Sequence, residues 1–201
     1  MTYEQLAADI RGRSRHRGQG SLIVAVDGMS GSGKTGFARR LAHELRSPLI
    51  SSDDLVPGWE GLEASIDLLV EWVLRPVASG QPARWRRYDW AADRPGEWAV
   101  TPVSDVLVVE GCCVGAPPAA PYLSYLVWVE TPEPQRRARL KHRGNWPEYE
   151  PFFDKWTTQE ERLQTEAKAR ERADLIVDNS GTGAQAGWGR SFAPLSRDAA
   201  R

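Results

Sequence analysis

The stretch GMSGSGKT at residues 28–35 decides how the rest of the chain is interpreted. It matches the pattern of a phosphate-binding loop, in which glycines let the backbone turn while amide N–H groups surround a polyphosphate. The apolar run LIVAVD precedes the loop, and the helix-like run TGFARRLAHEL follows it. This order places the phosphates at a helix N-terminus, where backbone donors favour anions. The alternative is a Gly/Ser turn that matches by chance, and both flanks argue against it.

The same motif predicts individual roles within the loop. Lys34 would reach the β- and γ-phosphates of a nucleotide, and the hydroxyl of Thr35 would hold Mg²⁺. The nucleotide-binding residues predicted in this way are Gly28, Ser30, Gly31, Ser32, Gly33, Lys34, Thr35 and Gly36.

The composition is that of one ordinary globular domain. The 201 residues carry a net charge of -1, with 41% hydrophobic and 26% charged residues, which argues against a broad nucleic-acid-binding surface. No apolar run approaches the roughly 20 residues needed to span a bilayer. Cys112 and Cys113 are adjacent and therefore unsuited to an unstrained disulfide. We expect a cytoplasmic protein without membrane contact, in which both cysteines are buried packing residues; a homo-oligomer stays open.

Alternating strand and helix patterns predict a doubly wound sheet. Strand-like runs occur at residues 48–52, 103–110, 125–129 and 174–177, and helical spacing occurs at residues 2–10, 61–78 and 158–172. Pro76 predicts an end or a kink in the second of these helices. We expect a three-layer α/β/α fold with a mostly parallel five-stranded sheet, a β-hairpin at about 80–102 and a helical lid at about 132–156. The single domain would cover residues 1–179, followed by a mobile tail at 180–201.

Three strand ends converge on the predicted site, because ligands gather at the carboxyl edge of such a sheet. Gly28, Asp53 and Glu110 each follow a strand-like run. Asp53 or Asp54 could accept a proton from an acceptor hydroxyl or bind Mg²⁺ through water, and the alternative is a helix N-cap. Glu110 could hold Mg²⁺-bound water or the acceptor, and its alternative is an ordinary polar residue at a strand end.

Two further groups of side chains could complete a site for phosphoryl transfer. Arg136, Arg139 and Arg143 share one helical face and could neutralise the transferred phosphate, although a solvated cationic face is the alternative. The aromatic hairpin could stack on a planar acceptor, with Tyr88 and Asp89 orienting it, or could simply form its own core. The three histidines show no metal-ligand spacing, so no zinc site is predicted.

Together these motifs resemble the uridine kinase-like family of P-loop kinases over residues 22–179. SSDDL resembles the family's second-strand motif, RRYDW its acceptor-binding hairpin and DVLVVEG its glutamate strand; LVWVETPEPQRRARLKHRG and ADLIVDN are similar to its lid segment and final strand. The resemblance implies that Asp53 is the catalytic base, that Tyr88 lies near the acceptor and that Arg139 and Arg143 occupy lid positions. It also implies ATP and Mg²⁺ as cofactors, with Thr35, Asp53 and Glu110 around the metal.

The activity that the resemblance implies is phosphorylation of a small-molecule hydroxyl, most directly that of a nucleoside. The family's FDHP-like segment is absent, because the chain has PGWEGLEASID there. A sugar, a modified nucleoside or a natural-product alcohol therefore stands as an alternative acceptor. A regulatory nucleotide-binding protein is another class, although no NKxD guanine signature is present. An RNA-associated ATPase that uses the basic residues 11–17 is a third.

Overall fold

The computed structural model describes residues 1–13, 20–181 and 188–195. Its strands are β1 (Leu22–Asp27), β2 (Leu49–Ser51), β3 (Ala83–Asp89), β4 (Arg94–Thr101), β5 (Val106–Glu110), β6 (Tyr125–Glu130), β7 (Leu175–Asp178) and β8 (Ala193–Leu195). Six of them form one sheet in the order β2-β5-β1-β6-β7-β8. Strands β1 and β5 are buried along their whole length, as expected of central parallel strands covered on both faces. The predicted α/β class is confirmed.

The sheet contains one strand more than the sequence patterns predict. Its first five strands are parallel, whereas β8 pairs antiparallel with β7. The expectation that the chain beyond residue 179 is a tail outside the domain is wrong for residues 188–195. Trp188 and Phe192 are buried in the core there, and this apolar burial stabilises the segment. The rest of the predicted tail, residues 182–187 and 196–201, lies outside the described residues.

The helices are α1 (Tyr3–Gly12), α2 (Lys34–Leu45), α3 (Leu62–Leu69), α4 (Arg75–Ala78), α5 (Glu133–Lys141), α6 (Trp146–Tyr149), α7 (Phe153–Ala167) and α8 (Ala169–Arg172). A wide π-helical turn, Val70–Leu74, joins α3 to α4. Pro76 therefore does not end the helix near Leu74. A proline cannot donate a backbone hydrogen bond and crowds the preceding turn, and the wider turn accommodates both effects.

Helices cover both faces of the sheet. On one face α1 and α2 pack with Trp188 and Phe192. Thr2 caps the N-terminus of α1 and forms a capping box with Gln5. On the other face the α3–α4 segment packs with Trp85 of the hairpin, and a third cluster joins α3 and α7 through the buried, unoxidised Cys112 and Cys113. Burial of both cysteines confirms that prediction.

The antiparallel pair β3–β4 forms the predicted hairpin as a separate two-stranded sheet. Its outer surface exposes Trp98, which is 53% accessible. Within the described residues no helix has the length and apolarity required to traverse a bilayer. Residues 14–17 of the basic stretch considered for RNA binding lie outside the described residues.

Candidate active site

The phosphate loop connects β1 to α2, and its backbone has positive φ at Gly28, Gly31 and Gly33. Gly31 has φ +79°, and a Cβ there would lie 2.5 Å from the backbone oxygen of Arg136. Gly33 has φ +91° and forms the N-cap of α2. No side chain caps α2, so the amide groups of its first turn remain available to an anion.

Carbonyl oxygens of the loop accept hydrogen bonds from side chains of other segments. Ser30 O accepts from Arg136 (3.1 Å), and Gly33 O accepts from the indole N–H of Trp188 (2.8 Å). Ser32 O accepts from three side chains, namely Thr131 (3.0 Å), Arg139 (3.3 Å) and Asn179 (2.6 Å). These bonds fix the loop from its outer side.

A polyphosphate fits the donors that remain. The hydroxyl of Ser32 is buried and has no hydrogen-bond partner among the described residues, although it lies within the loop. An orphaned donor is costly unless a ligand or water satisfies it. This hydroxyl, together with the uncapped helix start, matches the oxygen-rich chemistry of a nucleotide's phosphates.

Lys34 is 5% exposed and faces several acidic groups. Its burial opposes the charged ammonium form, but surrounding acidic groups raise its pKa well above the ordinary lysine value; these are Cys112, Asp53, Glu110 and Glu160. The charged form is therefore retained at neutral pH. It can pair with phosphate oxygens when a nucleotide binds.

Glu110 ends β5 beside the loop. One carboxylate oxygen accepts from the Thr35 hydroxyl at 3.0 Å, and the other accepts from the Ser51 hydroxyl at 2.7 Å. Burial raises the pKa of Glu110, whereas the Lys34 charge acts in the opposite direction. The register places Ser51 and Glu110 opposite each other on neighbouring strands. Two strand ends and the start of α2 thus meet at this carboxylate.

The oxygen donors here suit Mg²⁺. Magnesium takes one or two carboxylates and usually keeps water and substrate phosphates as its remaining ligands. Thr35 and Glu110 supply a hydroxyl and a carboxylate in contact, and Asp53 adds a nearby charge that raises the pKa of Glu110. Within residues 1–13, 20–181 and 188–195, no set of three or more acidic, histidine or cysteine side chains forms a closed metal cage. An all-protein cage is not required for a magnesium ion that binds with a nucleotide.

Asp53 and Asp54 follow β2 in a short helical turn and have different surroundings. Asp53 is exposed, and its backbone oxygen accepts from the indole N–H of Trp90 at 3.1 Å. Asp54 forms an ion pair with Arg87 at 3.4 Å. Burial raises the pKa of Asp54, and the charge of Arg87 opposes that shift. Asp53 therefore makes no direct ion pair among the described residues, and the cation that acts on its carboxylate is the neighbouring Lys34.

Tyr88 lies on the hairpin beside the same strand end. Its hydroxyl donates to Asp93 at 2.6 Å, and this hydrogen bond raises its pKa. Its ring centroid is 5.4 Å from that of Trp90. Tyr88, which was predicted to lie near the acceptor, therefore contacts Trp90, and the indole of Trp90 binds the backbone oxygen of Asp53. Asp89, named with it as an orienting group, instead caps its own turn by accepting from Ala92 N–H at 3.0 Å.

The arginine helix makes different contacts from those proposed for a closing lid. Arg139 contacts the outer side of the loop and donates to Asn179 O at 2.7 Å. Arg136 also donates to a loop carbonyl, whereas Arg143 is exposed to solvent. In this conformation Arg136 and Arg139 support the loop backbone.

Helix α7 supplies site residues that the sequence patterns did not single out. Glu160 is 1% exposed, and its Oε1 accepts from both the backbone N–H (2.8 Å) and the hydroxyl (2.9 Å) of Ser30. Trp156 donates its indole N–H to the same hydroxyl at 3.1 Å, and Gln164 donates to Asp27 at 2.9 Å. The four-residue spacing of Trp156, Glu160 and Gln164 was the available signal, since it places them on one helical face.

Asp27 anchors the base of the loop. Its carboxylate is fully buried and accepts four hydrogen bonds, from Gly28 N–H, Cys113 N–H, Gly115 N–H and the Gln164 amide. Burial raises the pKa of Asp27, and the four donors oppose that shift. The residue ties the phosphate loop to the segment after β5 and to α7, a role that the sequence analysis did not assign.

Comparisons with known proteins give a structural result only. No family model and no curated protein matches the chain. A possible uridine kinase from Bacillus stearothermophilus is similar in structure, with a TM-score of 0.64, 18% identity and coverage of 87% of this chain and 96% of that one. A protein assigned as a fructose transport system kinase from Silicibacter sp. TM1040 is also similar, with a TM-score of 0.54, 19% identity and coverage of 86% and 95%.

At these identities the comparisons establish the architecture. Both matches cover nearly the whole of the other chain, so the likeness is not restricted to the phosphate loop. The chain shares its fold with these two proteins, and the predicted α/β fold with a mainly parallel sheet is confirmed.

Proposed function

We propose that this protein is an ATP- and Mg²⁺-dependent kinase that transfers the γ-phosphoryl group to a hydroxyl of a small molecule. The observation that carries the proposal is the meeting of three strand ends at Lys34. The phosphate loop follows β1, Asp53 follows β2 and Glu110 is the last residue of β5, and the charges of both carboxylates raise the pKa of the Lys34 ammonium. Phosphoryl transfer depends mainly on such positioning and electrostatics.

One group of residues would bind the phosphate donor, and another would bind the acceptor. The amides around Gly33, with Lys34, bind the phosphates, and Thr35 with Glu110 would hold the metal. A Mg²⁺ ion held there would supply positive charge toward the phosphate oxygens. The acceptor oxygen forms a bond to the γ-phosphorus while the bond from that phosphorus to the β–γ bridging oxygen breaks, which releases ADP. Asp53 accepts the hydroxyl proton.

The acceptor class follows from the resemblance. A nucleoside is the acceptor that the uridine kinase-like motifs favour, with Tyr88 and Trp90 beside it. A sugar or a natural-product alcohol is the alternative, because the segment that precedes α3 differs from the family pattern. Arg139 and Arg143 would complete the site if the lid segment moves on substrate binding, since Arg139 contacts loop carbonyls in the present conformation.

The decisive experiment compares ADP formation with and without acceptors. Purified protein, ATP and Mg²⁺ are incubated with a panel of nucleosides, sugars and amino alcohols, and ADP is measured by a coupled assay. We expect one acceptor class to stimulate ADP formation and to yield a phosphorylated product by mass spectrometry. Phosphate release that no acceptor stimulates would overturn the kinase proposal and support the regulatory nucleotide-binding alternative.

A further inference from the structure

Ser30, in the first half of the phosphate loop, has all of its polar groups bound by other parts of the protein. Its backbone N–H donates to Glu160 Oε1 at 2.8 Å, and its hydroxyl donates to the same oxygen at 2.9 Å. Its backbone oxygen accepts from Arg136 at 3.1 Å. The amide of Ser30 is therefore not available to a phosphate in this conformation, although the loop motif predicts Ser30 as a nucleotide ligand.

The amides that follow Ser30 in the loop are in a different state. Among the described residues, the backbone N–H groups of Gly31, Gly33 and Lys34 have no hydrogen-bond acceptor. They lead into the first turn of α2, where unpaired amide groups favour an anion. Ser30 is therefore an anchor of the loop, next to the amides that would bind the phosphates.

The hydroxyl of Ser30 is held from two sides by α7. It donates to Glu160 and accepts from the indole N–H of Trp156 at 3.1 Å, and Cys112 Sγ lies 3.6 Å from it. Trp156 and Glu160 are both buried and lie four positions apart, so one face of the helix provides both contacts. With its donor and its acceptor both bound, the serine side chain is fixed in one orientation.

Glu160 places a carboxylate where burial is costly. The residue is 1% exposed, and burying a carboxylate is unfavourable unless it is hydrogen-bonded or paired. Its charge interacts with that of Lys34, and the phosphates of a bound nucleotide would add negative charge nearby. A residue that only filled space would not require a carboxylate here. The two hydrogen bonds from Ser30 give a physical reason for it, because bonds to a charged acceptor are the stronger kind.

We propose that Glu160 is a positioning residue for the nucleotide, because its carboxylate holds Ser30 so that the amides of residues 31–35 are arranged to bind the phosphates. This inference rests on the proposed function for the identity of the nucleotide, and Glu160 acts through the loop backbone rather than on the substrate. Gln164, one turn further along α7, donates to Asp27 at the base of the loop. The same face of α7 thus fixes the loop at two points, one on each side of Gly28.

The test measures nucleotide affinity and turnover separately in the full-length protein. Calorimetry gives the Kd of a non-hydrolysable MgATP analogue, and ADP formation gives kcat and the KM for ATP. Glu160→Ala, which removes both bonds to Ser30, should weaken analogue binding by at least about tenfold, as expected for the loss of charge-assisted hydrogen bonds. The KM for ATP should rise in parallel, while kcat at saturating ATP stays within about threefold, because the loss concerns binding of the nucleotide rather than the transfer step.

Further variants assign the effect to the bonds with Ser30. Glu160→Gln keeps an oxygen that can accept both bonds and should restore affinity to within about threefold of wild type. Ser30→Ala removes only the hydroxyl and should cause a smaller loss than Glu160→Ala, and the double variant should lose less than the two single losses combined, since the residues share one contact. Glu161→Ala, at an exposed position of the same helix, is the matched control and should bind like wild type. Circular dichroism checks that each variant is folded.

The outcomes separate this inference from the proposed function. Unchanged analogue binding in Glu160→Ala, or equal losses in Glu160→Ala and Glu160→Gln, would overturn the positioning role and leave the kinase proposal intact. If Glu160→Ala does not fold, wild-type affinity in Ser30→Ala overturns the positioning role instead. The expected losses of affinity without acceptor-stimulated ADP formation would support positioning and overturn the kinase function. A wild-type protein that binds no nucleotide would overturn both.

Discussion

The donor half and the acceptor half of the cleft are built in different ways. The donor half consists of residues 28–36 with Glu110, so almost all of it comes from one continuous loop and helix start. The proposed acceptor half consists of Asp53, Tyr88 and Trp90, which come from the turn after β2 and from the hairpin. A single motif therefore predicts the donor half, whereas the proposed acceptor half depends on how the hairpin packs beside the end of β2.

The two halves also differ in how many of their polar groups already have hydrogen-bond partners within the protein. Loop carbonyls in the donor half are bound by Arg136, Arg139, Asn179 and Trp188, and the remaining groups suit phosphate. In the acceptor half, the exposed carboxylate of Asp53 accepts no hydrogen bond from the described residues, and only its backbone oxygen is bound, by Trp90. The donor half is thus a fixed frame, and the acceptor half is where substrate must supply the missing contacts.

The largest effect is expected from breaking the donor half at Lys34. Lys34→Met removes the ammonium from the phosphates and leaves three carboxylates without their shared cation, so kcat/KM should fall by about 10³-fold. Steady-state ADP formation measures the change. The exposed Lys141→Met is the matched control and should remain near wild type. Less than a tenfold loss in Lys34→Met would contradict its assigned role.

The next effect separates the two neighbouring aspartates of the acceptor half. Asp53→Asn should lower kcat by about 10²-fold or more, because the base is lost, while ATP affinity stays within about threefold. Asp54→Asn should retain most activity, since it removes only the ion pair with Arg87. Turnover and nucleotide binding are measured for both variants. A greater loss in Asp54→Asn would transfer the role of base to Asp54.

The smallest effect concerns stability at the junction of the halves. Burial raises the folded-state pKa of Glu110, so the folded protein holds its proton more tightly than the unfolded chain. This contribution to the free energy of unfolding decreases as pH rises above the ordinary glutamate pKa of about 4.3. Glu110→Gln removes the ionisable carboxylate, and with it the pH-dependent cost of burying a charge. Relative to wild type, the variant should therefore gain stability between pH 4 and pH 7 in the ligand-free protein.

Urea unfolding at the two pH values measures this difference. Exposed Glu133→Gln serves as the control and should show no comparable change. Lys34 and Asp53 also face Glu110, with opposite effects on its pKa, so their substitution should change the pH response in opposite directions. A variant that loses stability relative to wild type as pH rises would show that the Lys34 charge outweighs burial.

Sequence patterns predicted the donor half because its chemistry is local. Gly31, Gly33, Lys34 and Thr35 are consecutive parts of one loop, and the strand before it and the helix after it follow from periodicity. The sites of Asp53 and Glu110 could also be predicted, since the carboxyl ends of neighbouring parallel strands meet at one edge of the sheet. The five parallel strands and the hairpin could be predicted from the periodicity of their apolar residues.

Other contacts depended on packing between distant segments. Nothing in the local pattern around Glu160 indicates that its carboxylate reaches the amide of Ser30, 130 residues earlier in the chain. Arg139 was predicted as a lid residue, yet it donates to loop carbonyls, because the direction of a long side chain depends on what faces its helix. Trp188 was assigned to a tail, although its indole binds Gly33 O.

The sequence by itself determined the phosphate loop, the parallel sheet and the two acidic strand ends, because these follow from local backbone requirements and from the periodicity of burial. Only the tertiary structure decided which side chains complete the cleft. Trp90 and Trp156 lie together because both indoles pack against Trp59, and α7 carries Glu160 one turn from Trp156. That arrangement depends on shape and packing over long sequence separations, which no short motif encodes.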